Sequence, residues 1–246
     1  MIIDSHVHLK HGGAGATEYT GRQIVDTMDA VGIDRSIVFA MSTTTKRSIE
    51  MAQEAVGAFP DRLIPYVYAL PRSDEPILDD LRHAVSDLGY KGIKIHRGEC
   101  SMAEYVVDPV IALAGELGVP CLIDFIGRAE DCGRLAKTFP GTTLLAAHIG
   151  QYLGTNPGLL DQFISIAEDN PNVYLDASGV VTLWKIKDAV KRVGVERVMW
   201  GTDGPHLAPD TAGFARTELN KVYAADLEKA EEEMVLGGSI MKLLGL

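Results

Sequence analysis

Short apolar runs alternate along this chain with amphipathic stretches of helical period. The runs at 2–8, 35–40, 63–70, 91–96, 120–125, 143–148, 173–178 and 197–202 have the length and near-continuous hydrophobicity of strands buried on both faces. Between them, 21–31, 45–58, 76–88, 109–117, 129–138, 159–169 and 183–193 carry apolar residues at helical spacing, as does a C-terminal region from about 212 to 245. Gly32, Gly89, Gly118 and Gly194 follow helices at positions where a left-handed backbone favours glycine. Eight strands, each followed by a helix, predict an α/β fold: a single (β/α)8 TIM barrel over residues 1–246, close to the ~250 residues usual for that fold. The stretches 10–20, 97–106 and 204–213 each follow a strand and read as loops on the catalytic rim.

Composition narrows the function classes. With 46% hydrophobic and 23% charged residues the chain can bury a large core. A formal net charge of -11, with no Lys/Arg run to offset it, argues against nucleic acid or an anionic membrane as partner and leaves a small molecule. Dimerisation is left open. Cys100, Cys121 and Cys132 are odd in number and lack CxxC spacing, which reads as reduced thiols. No apolar run approaches the ~20 residues of a membrane span and no signal-like start precedes the first strand, so the expectation is a soluble cytoplasmic protein.

The strand ends carry the chemistry. Parallel strands put their C-termini at one rim, so side chains far apart in sequence converge there. His6 and His8 are two apart on the first strand, pointing to one face with Cα atoms roughly 6.6 Å apart, a spacing that can close on one divalent ion. Asp4 shares that face one step deeper, suited to orienting a histidine. Asp203 ends the last strand and can combine metal ligand with general base, against the plainer reading of a helix cap or turn. His148 is either a third histidine ligand or a neutral imidazole that polarises the substrate or orients the attacking water, and a core histidine is the alternative.

On strand four, Lys94 and His96 share a face, with His96 nearer the rim and suited to substrate contact. Lys94 facing the interior needs a partner, for which Asp124 qualifies; Asp124 is also a metal-ligand candidate. Arg97 can bind a substrate carboxylate. His11 and His206 in flanking loops are weaker candidates, Asp176 and Ser178 suit support by hydrogen bonding, and His83 reads as a surface helix residue.

In order and spacing, DSHVH, GIKIH, AHIG, VYLDASG and WGTDGPH resemble the amidohydrolase superfamily, in particular the amidohydrolase-related branch similar to aminocarboxymuconate-semialdehyde decarboxylase. The likeness covers nearly the whole chain, and LGGSIMKLLGL is similar to the family's final helix. It implies His6, His8 and Asp203 as metal ligands and His148 as a catalytic or metal-adjacent histidine. Strand five departs from the family pattern, with Asp124 where a histidine ligand is usual.

The expected function is therefore a metal-dependent hydrolase of an amide, ester or lactone. His6, His8, Asp124 and Asp203 would hold one divalent ion, with zinc expected first and manganese or iron as alternatives. Asp203 and His148 would act in catalysis, and His96 and Arg97 in substrate binding. A non-oxidative decarboxylase on the same constellation is the second reading, and a barrel without catalysis that serves as a binding protein is the third.

Overall fold

The computed structural model describes residues 1–12, 17–72 and 74–246, so the centre of the expected 10–20 rim loop lies outside the described residues. Its strands are β1 Ile3–Lys10, β2 Arg35–Ala40, β3 Leu63–Pro65, β4 Val67–Tyr68, β5 Ile93–His96, β6 Cys121–Asp124, β7 Leu144–Ala146, β8 Val173–Asp176 and β9 Val198–Met199. Every pairing is parallel, in the orders β1-β2-β3 and β4 through β9. Main-chain hydrogen bonds complete the ring at both seams. Tyr66 N donates to Val38 O at 3.0 Å, and Val67 N donates to Gly92 O at 3.0 Å. At the other seam Ser5 N donates to Trp200 O at 3.2 Å, Asp203 N to His6 O at 2.9 Å and His8 N to Gly204 O at 2.7 Å. Counting β3 and β4 as one broken strand, this is the expected (β/α)8 arrangement.

Helices α1 Gly21–Val31, α2 Thr45–Ala58, α3 Leu78–Ser86, α4 Glu104–Leu117, α5 Ala129–Thr138, α6 Pro157–Asp169, α7 Leu183–Val193 and α8 Thr211–Tyr223 follow their strands. Local chemistry sets their ends. Thr20 and Gln23 form a capping box on α1, Asn156 caps α6 with Pro157 in its first turn, and Asp210 caps α8. None of the helices among the described residues is long and apolar enough to cross a membrane.

The differences from the sequence pattern have local causes. The 63–70 run breaks at Tyr66, after Pro65, which has no N–H to give a ladder. The expected 109–117 helix starts five residues earlier, with Pro109 inside it, because buried Val107 already faces the core. The long C-terminal helix divides into α8 and a shorter helical tail after residue 228. The 143–148 strand ends at Ala146, and His148 and Ile149 take left-handed φ of 60° and 47° in a short turn.

Inside the ring, Ile3, Ile37, Phe39, Tyr66, Leu122, Leu145 and Met199 form a buried plug. A larger apolar layer lies between strands and helices. The plug fills the lower barrel, leaving the polar ends of the strands at one mouth.

Gly201 is required where the last strand meets the first. A Cβ there would lie 2.8 Å from the His6 Cβ and 3.0 Å from the His6 backbone nitrogen. Gly201→Ala is expected to lower stability in urea unfolding by about 1–3 kcal/mol through overpacking. Gly57→Ala, in α2 with nothing within 4 Å of the added Cβ, is expected to be neutral or stabilising by up to ~1 kcal/mol.

Candidate active site

The mouth of the barrel gathers residues from both ends of the chain. His6 Nε2 lies 3.1 Å and His8 Nε2 2.9 Å from the same oxygen, Oδ1 of Asp203. These three residues form a cluster whose ligand atoms lie within 4.8 Å of one another. Strand parity places the two imidazoles, and the seam bonds between 203–204 and 6–8 bring the carboxylate to them.

Behind the cluster, His6 Nδ1 donates to Asp176 Oδ2 at 2.8 Å, and Ser178 Oγ donates to the same oxygen at 2.5 Å. With Nδ1 engaged by Asp176, the His6 ring turns Nε2 toward Asp203. His6 Nε2 and Asp203 Oδ1 face each other at 3.1 Å, close enough to bind one divalent ion together. The donor set of two imidazoles and a carboxylate suits a divalent metal, and the carboxylate behind His6 is the usual orienting partner. Lys94 Nζ, wholly buried, also donates to His6 Nε2 at 3.1 Å and supplies positive charge to the cluster.

Asp124, expected as a fourth ligand, is taken up by protein donors. Its Oδ1 accepts from Ile126 N at 2.9 Å, and its Oδ2 lies 3.2 Å from His96 Nε2 and 3.6 Å from His148 Nε2. Gly98 N donates to His96 Nδ1 at 3.2 Å, which leaves the His96 proton on Nε2 for Asp124. His148 is placed by Nδ1, which donates to Ser178 O at 2.9 Å, so its Nε2 faces Asp124 and the cavity. Arg97 points elsewhere: its Nε donates to Asp131 Oδ2 at 2.8 Å in the first turn of α5. The expected carboxylate clamp therefore does not line the cavity. His83 pairs with Asp87 on the exposed face of α3, as read from the sequence.

A cavity of about 480 Å³ opens over these groups, lined by His8, His11, Met41, Lys94, His96, Glu99, Asp124, Ile126, His148, Tyr152 and Asp203. Glu99, Tyr152 and Met41 were not singled out in the sequence. Met41 and Glu99 stand within three residues of a strand end, so counting on from the strand ends would have flagged them, whereas Tyr152 lies beyond the turn after β7. His11 stacks on His8 at 4.4 Å between ring centroids, and on its other side meets His206 at 4.6 Å.

Electrostatics separate the roles. Burial holds His8 neutral, against the pull of Asp203. Burial also opposes charge on Asp203, but His148 and His6 beside it hold its carboxyl well below the usual range. Asp124 behaves alike: burial is outweighed by the hydrogen bonds of His148 and His96. Burial works against a charged His148 too, yet the charges of Asp203 and Asp124 raise it to about 9. At neutral pH the mouth thus presents ionised Asp203 and Asp124 beside a protonated His148. Asp203 (φ 57°) and His148 (φ 60°) both occupy left-handed backbone, a strain that surrounding bonds must hold.

The amidohydrolase family model matches residues 3–246, so the chain belongs to the amidohydrolase family. No curated protein matches it. Among solved structures, it is similar to an amidohydrolase from Burkholderia multivorans with bound zinc, at 17% identity and a TM-score of 0.77, covering 100% of this chain and 99% of that one. A dihydroxybenzoic acid decarboxylase from a Polaromonas species, with bound manganese and the inhibitor 2-nitroresorcinol, is 17% identical with a TM-score of 0.72, covering 100% and 97%. A 4-oxalomesaconate hydratase from Rhodopseudomonas palustris is 15% identical with a TM-score of 0.73, covering 100% and 96%. At these identities the likeness is one of fold.

The raised His148 gives a pH signature in metal-stripped protein. Its folded-state pKa of about 9 exceeds the ~6.5 of an unfolded histidine, so its stabilisation is complete below ~6.5 and is lost as pH rises through about 9. Thermal unfolding of the stripped protein should show a midpoint falling across that window. His148→Gln should flatten the fall; an equal slope in the variant would assign the effect to another group.

Proposed function

We propose that this amidohydrolase-family protein is a metal-dependent hydrolase of a small molecule bearing an amide, ester or lactone bond. The observation that carries the reading is the convergence of His6, His8 and Asp203 on one point, with Asp176 fixing the outer imidazole nitrogen of His6. His6 Nε2, His8 Nε2 and an Asp203 oxygen would hold one divalent ion, zinc by the chemistry of this donor set, with manganese or iron as alternatives. Such an ion supplies Lewis acidity, which lowers the pKa of water toward neutrality and polarises a carbonyl.

The chain's own groups supply the rest. Asp203 turns Oδ1 to both imidazoles, leaving Oδ2, 3.8 Å from His206 Nε2, to take the proton of the attacking water and return it to the leaving group. His148, protonated and held by Ser178 O, presents Nε2–H to the oxygen that gains negative charge, a role worth on the order of 3 kcal/mol. Asp124 keeps His148 charged and His96 oriented, so its part in this scheme is to position these imidazoles rather than to bind the ion. His96 contacts substrate at the cavity wall. Arg97, bound to Asp131, braces the rim loop.

A decarboxylase is the second reading, favoured by Lys94 and protonated His148 in the cavity wall, which suit a carboxylate. It lacks the guanidinium that Arg97 was expected to bring. Assay of acid, alcohol or amine release against CO2 release on a panel of small esters, lactones, amides and carboxylated aromatics separates the two.

Asp203→Asn is expected to lower kcat by about 10³-fold or more while leaving the unfolding midpoint within a few degrees of wild type. Near-normal turnover in that variant would remove Asp203 from the proton path. Elemental analysis should find about one equivalent of zinc, manganese or iron per chain, lost in His6→Ala and His8→Ala.

A further inference from the structure

Glu99, in the loop after β5, is a wall of the same cavity that the scheme above leaves without a task. Its Oε2 accepts from Ser42 N at 3.0 Å and from the Tyr68 hydroxyl, and its Oε1 accepts from the Ser42 hydroxyl. Ser42 follows β2 and Tyr68 ends β4, so donors from two other strand ends fix this carboxylate. Ser42 holds a left-handed φ of 50°, which aims its N–H at Glu99.

All three donors are neutral: they position the charge without cancelling it. Burial raises the carboxyl, but the hydrogen bonds from Ser42 and Tyr68, with a smaller pull from His96, outweigh it and hold it below the usual range, so it is ionised at neutral pH.

Among the described residues no cation lies within 4 Å of Glu99, and 13–16 and 73 carry no charged side chain. Each nearby cation has another partner. Arg97 is bound to Asp131, Arg72 to Asp74 and Lys10 to Glu18, while Lys94 donates to His6. His96 is engaged at both ring nitrogens, by Asp124 and Gly98. A carboxylate fixed by three neutral donors, ionised, and without an ion pair inside 4 Å presents its charge to whatever enters the cavity.

Resting on the hydrolase reading, we propose that Glu99 sets substrate specificity by binding an ammonium group that the substrate carries apart from its scissile bond. The cavity is then bipolar. The cation site, from β1 and the chain after β9, takes the carbonyl end. Glu99, on the β2–β5 side, takes the positively charged end.

Three hydroxamates of matched length, probes that chelate a metal through one end, test this by titration calorimetry on zinc-loaded protein. They are 4-aminobutanohydroxamate, pentanohydroxamate and glutarate monohydroxamate. The ammonium probe should bind about tenfold more tightly than the neutral one and the carboxylate probe most weakly, as expected for one charge-assisted contact in a partly dry site. In Glu99→Gln the ammonium preference should fall to within about twofold with the neutral probe unchanged; Glu99→Asp, which keeps the charge, should retain the order. Equal binding of all three, tighter binding of the carboxylate probe, or a preference that survives Glu99→Gln would overturn the assignment while leaving the metal site standing. So would a second equivalent of zinc that Glu99→Gln removes, since Glu99 would then be a ligand. If none of the probes binds zinc-loaded protein better than stripped protein, the hydrolase reading itself falls, and this assignment with it.

Discussion

The closure of the sheet between β1 and the segment 200–204 is the constraint on which the site depends. His6 and His8 stand near the start of the chain and Asp203 nearly 200 residues later, and nothing local brings them together. The backbone does so through Asp203 N to His6 O and His8 N to Gly204 O. Asp4 locks the same seam from below, its Oδ1 accepting from Thr202 N at 2.8 Å and its Oδ2 from Thr202 Oγ1 at 2.7 Å. Burial raises the Asp4 carboxyl to about 7 even with those donors, so this lock is itself close to its protonation point near neutral pH. Gly201 lets the two segments approach, and its missing side chain is the space that His6 fills.

A second theme is the excess of buried acid at the mouth. Asp124, Asp176 and Asp203 are ionised in surroundings that disfavour charge, and Lys94 and His148 offset only part of it. Burial lowers the Lys94 pKa against the pull of those same carboxylates, so even this cation is held under tension. The three carboxylates exceed the two cations by one charge, so the mouth as a whole attracts an added cation. The donor geometry of His6, His8 and Asp203 marks where in that acidic mouth a cation fits.

Much of this was legible in the sequence. The barrel followed from the alternation of apolar runs and helical periods, and the meeting of His6, His8 and Asp203 followed from the parity of the two histidines together with a carboxylate ending the last strand. What stayed hidden depends on loop conformation. Asp124 reads as a ligand from its strand position, yet the turn that follows sends Ile126 N back to it and His96 turns onto it from the neighbouring strand. Arg97 reads as a carboxylate clamp until α5 places Asp131 beside it. Glu99 stands just past a strand end, but what it does depends on Ser42 and Tyr68, which reach it only after three strands are set side by side.

The central claim is that three side chains hold one cation at this mouth. Anomalous diffraction from crystals of the zinc-loaded protein, recorded on both sides of the zinc absorption edge, tests it most directly. The account predicts one strong peak about 2 Å from His6 Nε2, His8 Nε2 and an Asp203 oxygen. A peak bound by other residues, or none at the mouth in protein that carries a full equivalent of zinc, would contradict it.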